Sequence, residues 1–481
     1  MDDLADRARA LDAAAPRGGP ELGALCPLDG RYSQIAALLR PYFSEFALIR
    51  YRLKVEVEWL IAIANEPAFA EAAPMSADQA ERLRRWVENL GEAEAARVKN
   101  LEATTRHDVK AVEYHLRSRL ADLGLSGLEP FVHFCCTSED INNVSYALML
   151  RDGIAQAWRP EAEGLIGQLL RIVDEGAAIA MMARTHGQPA SPTTLGKEIG
   201  VFAHRLARQL EQIGRVEYLA KFSGAVGNYN AHVAAYPGID WVAFTRRFLE
   251  GFGLTQNPVT TQIESHDYVA ELFHALVRFN TILINLDRDM WTYVSLKYFR
   301  QKVYEGEVGS STMPHKVNPI DFENSEANAG VSNGVLDHLA GKLMISRLQR
   351  DLSDSSALRN AGMGIGYSVL ALRAARAGLR KVDVDRAAIA ADLADEWSVL
   401  AEAIQTVLRK YEAEDAYEQL KDLTQNRKVT GEDVSRFIDG LPIPEAERKA
   451  LKAMAPEDYV GIAPAIARSV TGRLAGRYGR G

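Results

Sequence analysis

A chain of 481 residues allows roughly three structural units and a large buried core, and 47% hydrophobic with 25% charged residues is an ordinary globular balance. The formal net charge of −8 lacks the broad positive field of a nucleic-acid binder, though it leaves room for local anion sites. Three cysteines, with Cys135 and Cys136 adjacent, make no disulfide framework, and no CxxC or HExxH marks a zinc site. Reduced thiols, no stretch of 18 apolar residues and no apolar signal core before Gly23 lead to the expectation of a cytoplasmic protein.

In chain order, residues 1–24 read as a leader, because PRGGP at 16–20 stacks helix breakers beside small residues. Residues 25–127 read as an N-terminal helical domain, 128–375 as a central bundle of long helices, and 376–481 as a C-terminal helical domain. Apolar spacing of three and four dominates and alternating strand runs are scarce, so the expected fold is mostly α. Within the first block, Arg31 of DGRY is a candidate anion contact. TTRHDVKAVEYHL (104–116) has Thr105 and Asp108 at capping-box spacing, which places His107 in the first helical turn. HFCCTSEDINN (133–143) opens another helix, with Thr137 or Ser138 as its N-cap.

Long helices are expected at about 139–184, interrupted near Pro160, at 193–222 and at 321–349. Between the first two lies RTHGQPASP (184–192), a loop whose His186 suits proton transfer near neutral pH, although a lone loop histidine is structural as readily as chemical. Val259–Glu305 holds 47 residues without Gly or Pro, about 70 Å if helical throughout, too long to cover its own apolar stripe without long partners. Self-association of such helices is the expectation. The window GEVGSSTMPHKVNPIDFENSE (306–326) follows it as a polar loop able to close over a substrate, with Lys316 and Asn318 suited to a carboxylate and a serine or His315 suited to a proton. GAVGNYNAH (224–232) and RLQRDLSDSSALRN (347–360) add Asn, Ser and the guanidinium forks of Arg350 and Arg359. Together these polar breaks point to a small anionic substrate with several charged groups.

Ser310, Ser311, Met313, Pro314, Lys316 and Asn318 fill every fixed position of SS-x-M-P-x-K-x-N, so the chain resembles the fumarase, aspartase and argininosuccinate lyase superfamily. With DGRY, TTRHDVKAVEY, HFCCTSEDINN, RTHGQPASPTTLGKE, GAVGNYNAH, TTQIE and QRDLSDSSALRN in order, it is most similar to the bacterial adenylosuccinate lyase family. That resemblance implies a three-domain, mostly α lyase whose long central bundle assembles into a homotetrameric core, with active sites shared between subunits. It implies β-elimination of fumarate from adenylosuccinate, giving AMP, and from the succinylaminoimidazole carboxamide ribotide, with neither cofactor nor metal and no nucleic-acid or membrane partner. By position in the motifs it implies Ser310 as base and His186 as general acid. Arg31, Tyr32, Arg106, His107, Asp108, Thr137, Ser138, Gln262, Lys316, Asn318, Asn324, Arg350, Ser355 and Arg359 are implied as substrate-binding. Arg106 departs from the smaller polar residue expected before His107. A sister lyase acting on argininosuccinate or aspartate, or a non-catalytic helical scaffold, are the alternatives; the first would not need phosphate contacts, and the second would not need His186, Ser310 and Lys316 together.

Overall fold

The computed structural model describes residues 22–302, 313, 316–411, 418, 420–421 and 428–479. All but the last three residues of the expected leader, and Ser310, Ser311, Pro314 and His315 of the signature loop, lie outside them. Among the described residues helices dominate, with three short two-stranded sheets. The chain forms two compact units: one from the chain up to Pro160, Gln212–Asn280 and Asn328–Leu370, the other from Glu161–Glu211, Thr281–Ala327 and Ala371 onward.

In the first unit, the helix Glu45–Ala64 starts where the Ser44 hydroxyl accepts the Ala47 N–H at 3.1 Å. It is buried on nearly every face, as a core helix must be. Trp59 anchors an aromatic cluster with Phe222, Phe244 and Phe248, and its indole N–H donates to the Phe134 carbonyl at 3.0 Å. A buried polar chain ties the long helices of this unit: Trp158 donates to Ser368, Ser368 to Asn280, and Asn280 to Ser332, which donates to the Gly364 carbonyl. Each buried polar group named there has a partner, so the chain fixes helix register without leaving orphaned atoms.

The expected 47-residue helix is shorter. It runs Asp267–Ser295, 29 residues. His266 takes a left-handed φ of 61° just before it, and its N–H donates to the Glu264 carboxylate at 2.7 Å, so residues 259–266 form a loop instead of a first turn. At the other end Lys297, with φ 64°, closes the helix: the Tyr298 N–H reaches back to the Tyr293 carbonyl at 2.9 Å, the long bond of a Schellman cap. Among the described residues this is the one helix long and apolar enough to cross a membrane by length and composition alone. Its Leu272, Phe273, Leu276, Leu283, Leu286 and Met290 are buried in protein, which marks a core helix.

The expected helix over 139–184 also divides. Ser138–Gly153 passes through a π-helical turn, Ile154–Trp158, into Arg159–Glu175. The wider turn directly before Pro160 accommodates the missing N–H without breaking the helix. Beyond Gly176 the chain enters an antiparallel hairpin, Ala180–Thr185 with Gln188–Thr194, in the second unit. Met182 from this hairpin packs with Leu393, Leu400, Ile404, Ile438 and Leu451 of the C-terminal helices.

Candidate active site

In the first unit a cavity of about 400 Å³ gathers residues from three of the polar breaks, including His107, Asp108, Ser138, Arg350, Ser355 and Arg359. Arg106 is the left-handed C-cap (φ 52°) of the helix Glu92–Thr105, and His107 is itself the N-cap of Asp108–Asp122. This corrects the expected Thr105 cap: Thr105 ends the preceding helix, and its hydroxyl accepts the His107 N–H at 3.3 Å. The Lys110 N–H donates to His107 Nδ1 at 3.1 Å. A backbone amide only donates, so Nδ1 is an acceptor and the neutral ring carries its proton on Nε2, which lies 3.5 Å from Ser138 Oγ.

Two carboxylates organise the arginines. Asp108 Oδ2 accepts from Arg52 Nη2 at 2.7 Å and from Arg359 Nη2 at 2.9 Å. Burial works against the Asp108 charge, but Arg52, the Val109 N–H and Arg359 outweigh it and hold the carboxyl below the ordinary aspartate range. Arg350 donates from Nη1 to Gln262 at 3.0 Å, and from Nη2 to Glu139 at 3.0 Å and Ser355 at 3.1 Å. Gln262 in turn donates to the Ala225 carbonyl at 2.8 Å, joining the GAVGN segment to the cavity wall. That segment closes tightly because Gly227 has φ +81°; a Cβ there would meet the Thr261 carbonyl at 2.7 Å.

The start of the helix Ser138–Gly153 is locked from behind. Thr137 is the N-cap, its N–H donating to Asp140 Oδ2 at 2.8 Å. Asp140, fully buried, also accepts from the Ser223 and Gly224 N–H groups and pairs with Lys221. Glu139, Arg52, Asn142, Asp140 and Lys221 are site-building residues that the motifs did not single out. The partners of Arg52 and Lys221 are distant in sequence, so spacing held no signal for them. Arg31 and Tyr32 do not line this cavity: Arg31 is exposed, its guanidinium 5.8 Å from the Tyr32 ring, and Tyr32 packs beside Leu28, Tyr367 and Leu370.

In the second unit, His186 and Gly187 form the two-residue tip of the hairpin, with φ 54° and 77°. Both central residues at positive φ suit the twist of a tight hairpin and leave His186 exposed at its apex. This corrects the loop expected over 184–192; Pro189 and Pro192 are tolerated because this is a two-stranded sheet in which each strand has a free edge. Arg184 fixes the base, donating to both oxygens of Asp392 at 2.8 and 2.7 Å and to the Tyr298 hydroxyl at 2.8 Å. Lys316 is exposed, its N–H donating to the Met313 carbonyl at 3.0 Å. Asn318 lies two residues before the helix Ile320–Leu343, which carries half-buried Asn324 in its second turn.

The family described as Lyase matches residues 30–334, and the family described as Adenylosuccinate lyase C-terminal matches residues 346–460. The adenylosuccinate lyase of Vibrio cholerae is 51% identical over 444 residues, covering 92% of this chain and 97% of its own; that of Escherichia coli K12 is 50% identical over 443, with the same coverage. This chain belongs to the adenylosuccinate lyase family. The fold agrees with the wider superfamily. A fumarate lyase from Mesorhizobium sp. BNC1 superposes with a TM-score of 0.70 at 22% identity, over 90% of this chain and 97% of that one. The 3-carboxy-cis,cis-muconate lactonizing enzyme of Pseudomonas putida gives 0.69 at 21%, over 92% and 99%.

Proposed function

We propose that this chain is an adenylosuccinate lyase that eliminates fumarate from adenylosuccinate to give AMP, and from the succinylaminoimidazole carboxamide ribotide to give the carboxamide ribotide. The observation that carries this reading is the cavity around His107, where Arg350 and Arg359 are held beside a helix N-terminus. Such a place suits a phosphate, which a ribotide carries and a simple C4 acid does not.

Elimination needs a base for the proton beside a carboxylate, donors for the resulting carbanion and an acid for the departing nitrogen. Ser310 is the base, activated when donors surround it, since an ordinary serine hydroxyl is far too weak an acid. His186 is the general acid; the rigid hairpin that Arg184 anchors supports a fixed orientation. Lys316 and Asn318 hold succinyl carboxylates, and Thr137, Ser138 and Gln262 also bind substrate. His107, Asp108, Arg350, Ser355 and Arg359 receive the ribotide, with Asp108 also orienting Arg52 and Arg359. Arg31, Tyr32, Arg106 and Asn324 complete the substrate-binding set.

The enzyme works as a cytoplasmic homotetramer with sites shared between subunits, and a division at 24, 127 and 375 is its proposed domain plan. Exposed Trp291, Val331, Ile345 and Leu348 on or beside the long helices support self-association. The direct test is an ultraviolet assay with adenylosuccinate, and with argininosuccinate and aspartate alongside. Release of AMP and fumarate from adenylosuccinate alone supports the reading; turnover of only another succinyl compound would overturn it in favour of a sister lyase.

A further inference from the structure

We propose that Glu139 is a positioning residue that holds the Arg350 guanidinium in the orientation that meets an anionic group of the substrate. The inference rests on the reading of the His107 cavity as the ribotide site. Arg350 lies in the irregular stretch between the helices Ile320–Leu343 and Ser353–Leu358, so no regular backbone fixes its side chain. Its place comes from three hydrogen bonds, to Gln262, Ser355 and Glu139, and only Glu139 brings a charge. Glu139 is 3% exposed and sits in the first turn of Ser138–Gly153, where the helix N-terminus favours an acidic group. Its Oε1 accepts from Asn142 at 2.8 Å as well as from Arg350.

The platform beneath it is rigid, because Asp140 next in sequence is pinned by backbone N–H groups and by Lys221. Burial pushes the Glu139 carboxyl up, with Arg350 and Asn142 acting against that. Each partner thus makes the other tolerable in a half-dry wall. The bonds to Glu139 and Ser355 use both N–H groups of Nη2, and that to Gln262 uses one of Nη1, which leaves one Nη1–H of Arg350 for a ligand, its Nε being buried.

The test is steady-state kinetics on adenylosuccinate with R350A, E139A, E139Q and the E139A/R350A double variant. R350A is expected to raise KM. E139A is expected to raise KM by roughly ten- to hundred-fold, the range for a lost charge-assisted hydrogen bond, with a much smaller change in kcat. E139Q keeps an acceptor in place and is expected to raise KM several-fold, and the double variant is expected to be no worse than R350A, because the two residues act as one unit. An E139A KM at the wild-type value while R350A raises it, or E139A and R350A losses that multiply in the double variant, would overturn the positioning role. Should E139A fail to fold, E139Q decides: a KM rise that vanishes in the R350A background supports the role, and one that persists there overturns it. A wild-type KM for R350A would overturn the cavity reading itself.

Discussion

The Asp140 carboxylate lies 2.8 Å from the Lys221 ammonium, and both side chains are completely shielded from solvent. Such a pair is tolerable because further hydrogen bonds reach both groups. Asp140 takes the Thr137, Ser223 and Gly224 N–H groups, while Lys221 donates to the Gly224 carbonyl at 2.9 Å and its own N–H donates to Asn143. One ion pair therefore joins the N-terminus of the helix that carries Ser138 and Glu139 to the loop that reaches Gln262.

Removing one partner strands the other. Lys221→Ala is expected to destabilise the protein by about 3–5 kcal/mol, as breaking buried pairs does. Urea unfolding checks this, and a loss below about 1 kcal/mol would mean that water or another cation replaces the ammonium readily.

His133 makes stability depend on pH. Burial opposes its charge, yet Glu56, 2.6 Å from Nδ1, and Glu113, 3.6 Å from Nε2, together with Asp140, raise its pKa above the ordinary histidine value. Lys110, 2.6 Å from Glu113, shares that carboxylate. The folded value exceeds the unfolded one, so the charged ring stabilises the fold fully below about pH 6.5, and the contribution fades as pH rises through the raised folded value. The gap in unfolding free energy between wild type and His133→Asn is expected to be widest near about pH 6 and to narrow toward about pH 9. A gap that widens with pH contradicts the pairing.

Gly187 sets the pose of His186. At φ +77° a Cβ strains the backbone whatever space surrounds it. Gly187→Ala is expected to cost about 1–2 kcal/mol at the turn and to lower kcat, with the rest of the fold retained. Circular dichroism with steady-state kinetics reads both; unchanged kcat would show that the hairpin tip has no part in the proton step.

Much of the cavity was legible because polar residues interrupt helical periodicity at 104–116, 133–143 and 347–360, and those breaks do converge. Less legible were features set by long-range partners. Arg52 sits inside a buried helix that carries other charged residues, and its tie to Asp108 crosses 56 positions. The hairpin behind His186 was hidden by its two prolines, and the 29-residue helix was read as 47 because its ends are closed by left-handed His266 and Lys297 rather than by Gly or Pro. Local propensity could not show those ends, since each depends on a specific backbone hydrogen bond.

The central chemical claim is that elimination requires the His186 acid and the Ser310 base together in a site shared between subunits. The most direct measurement mixes purified His186→Ala and Ser310→Ala proteins, each expected to be slowed by orders of magnitude, and follows adenylosuccinate turnover after demonstrated subunit exchange. Recovery toward roughly a quarter of wild-type activity is predicted, the chance that a site draws both intact residues from an equal random mixture. No recovery after exchange would contradict it and assign both groups to one chain.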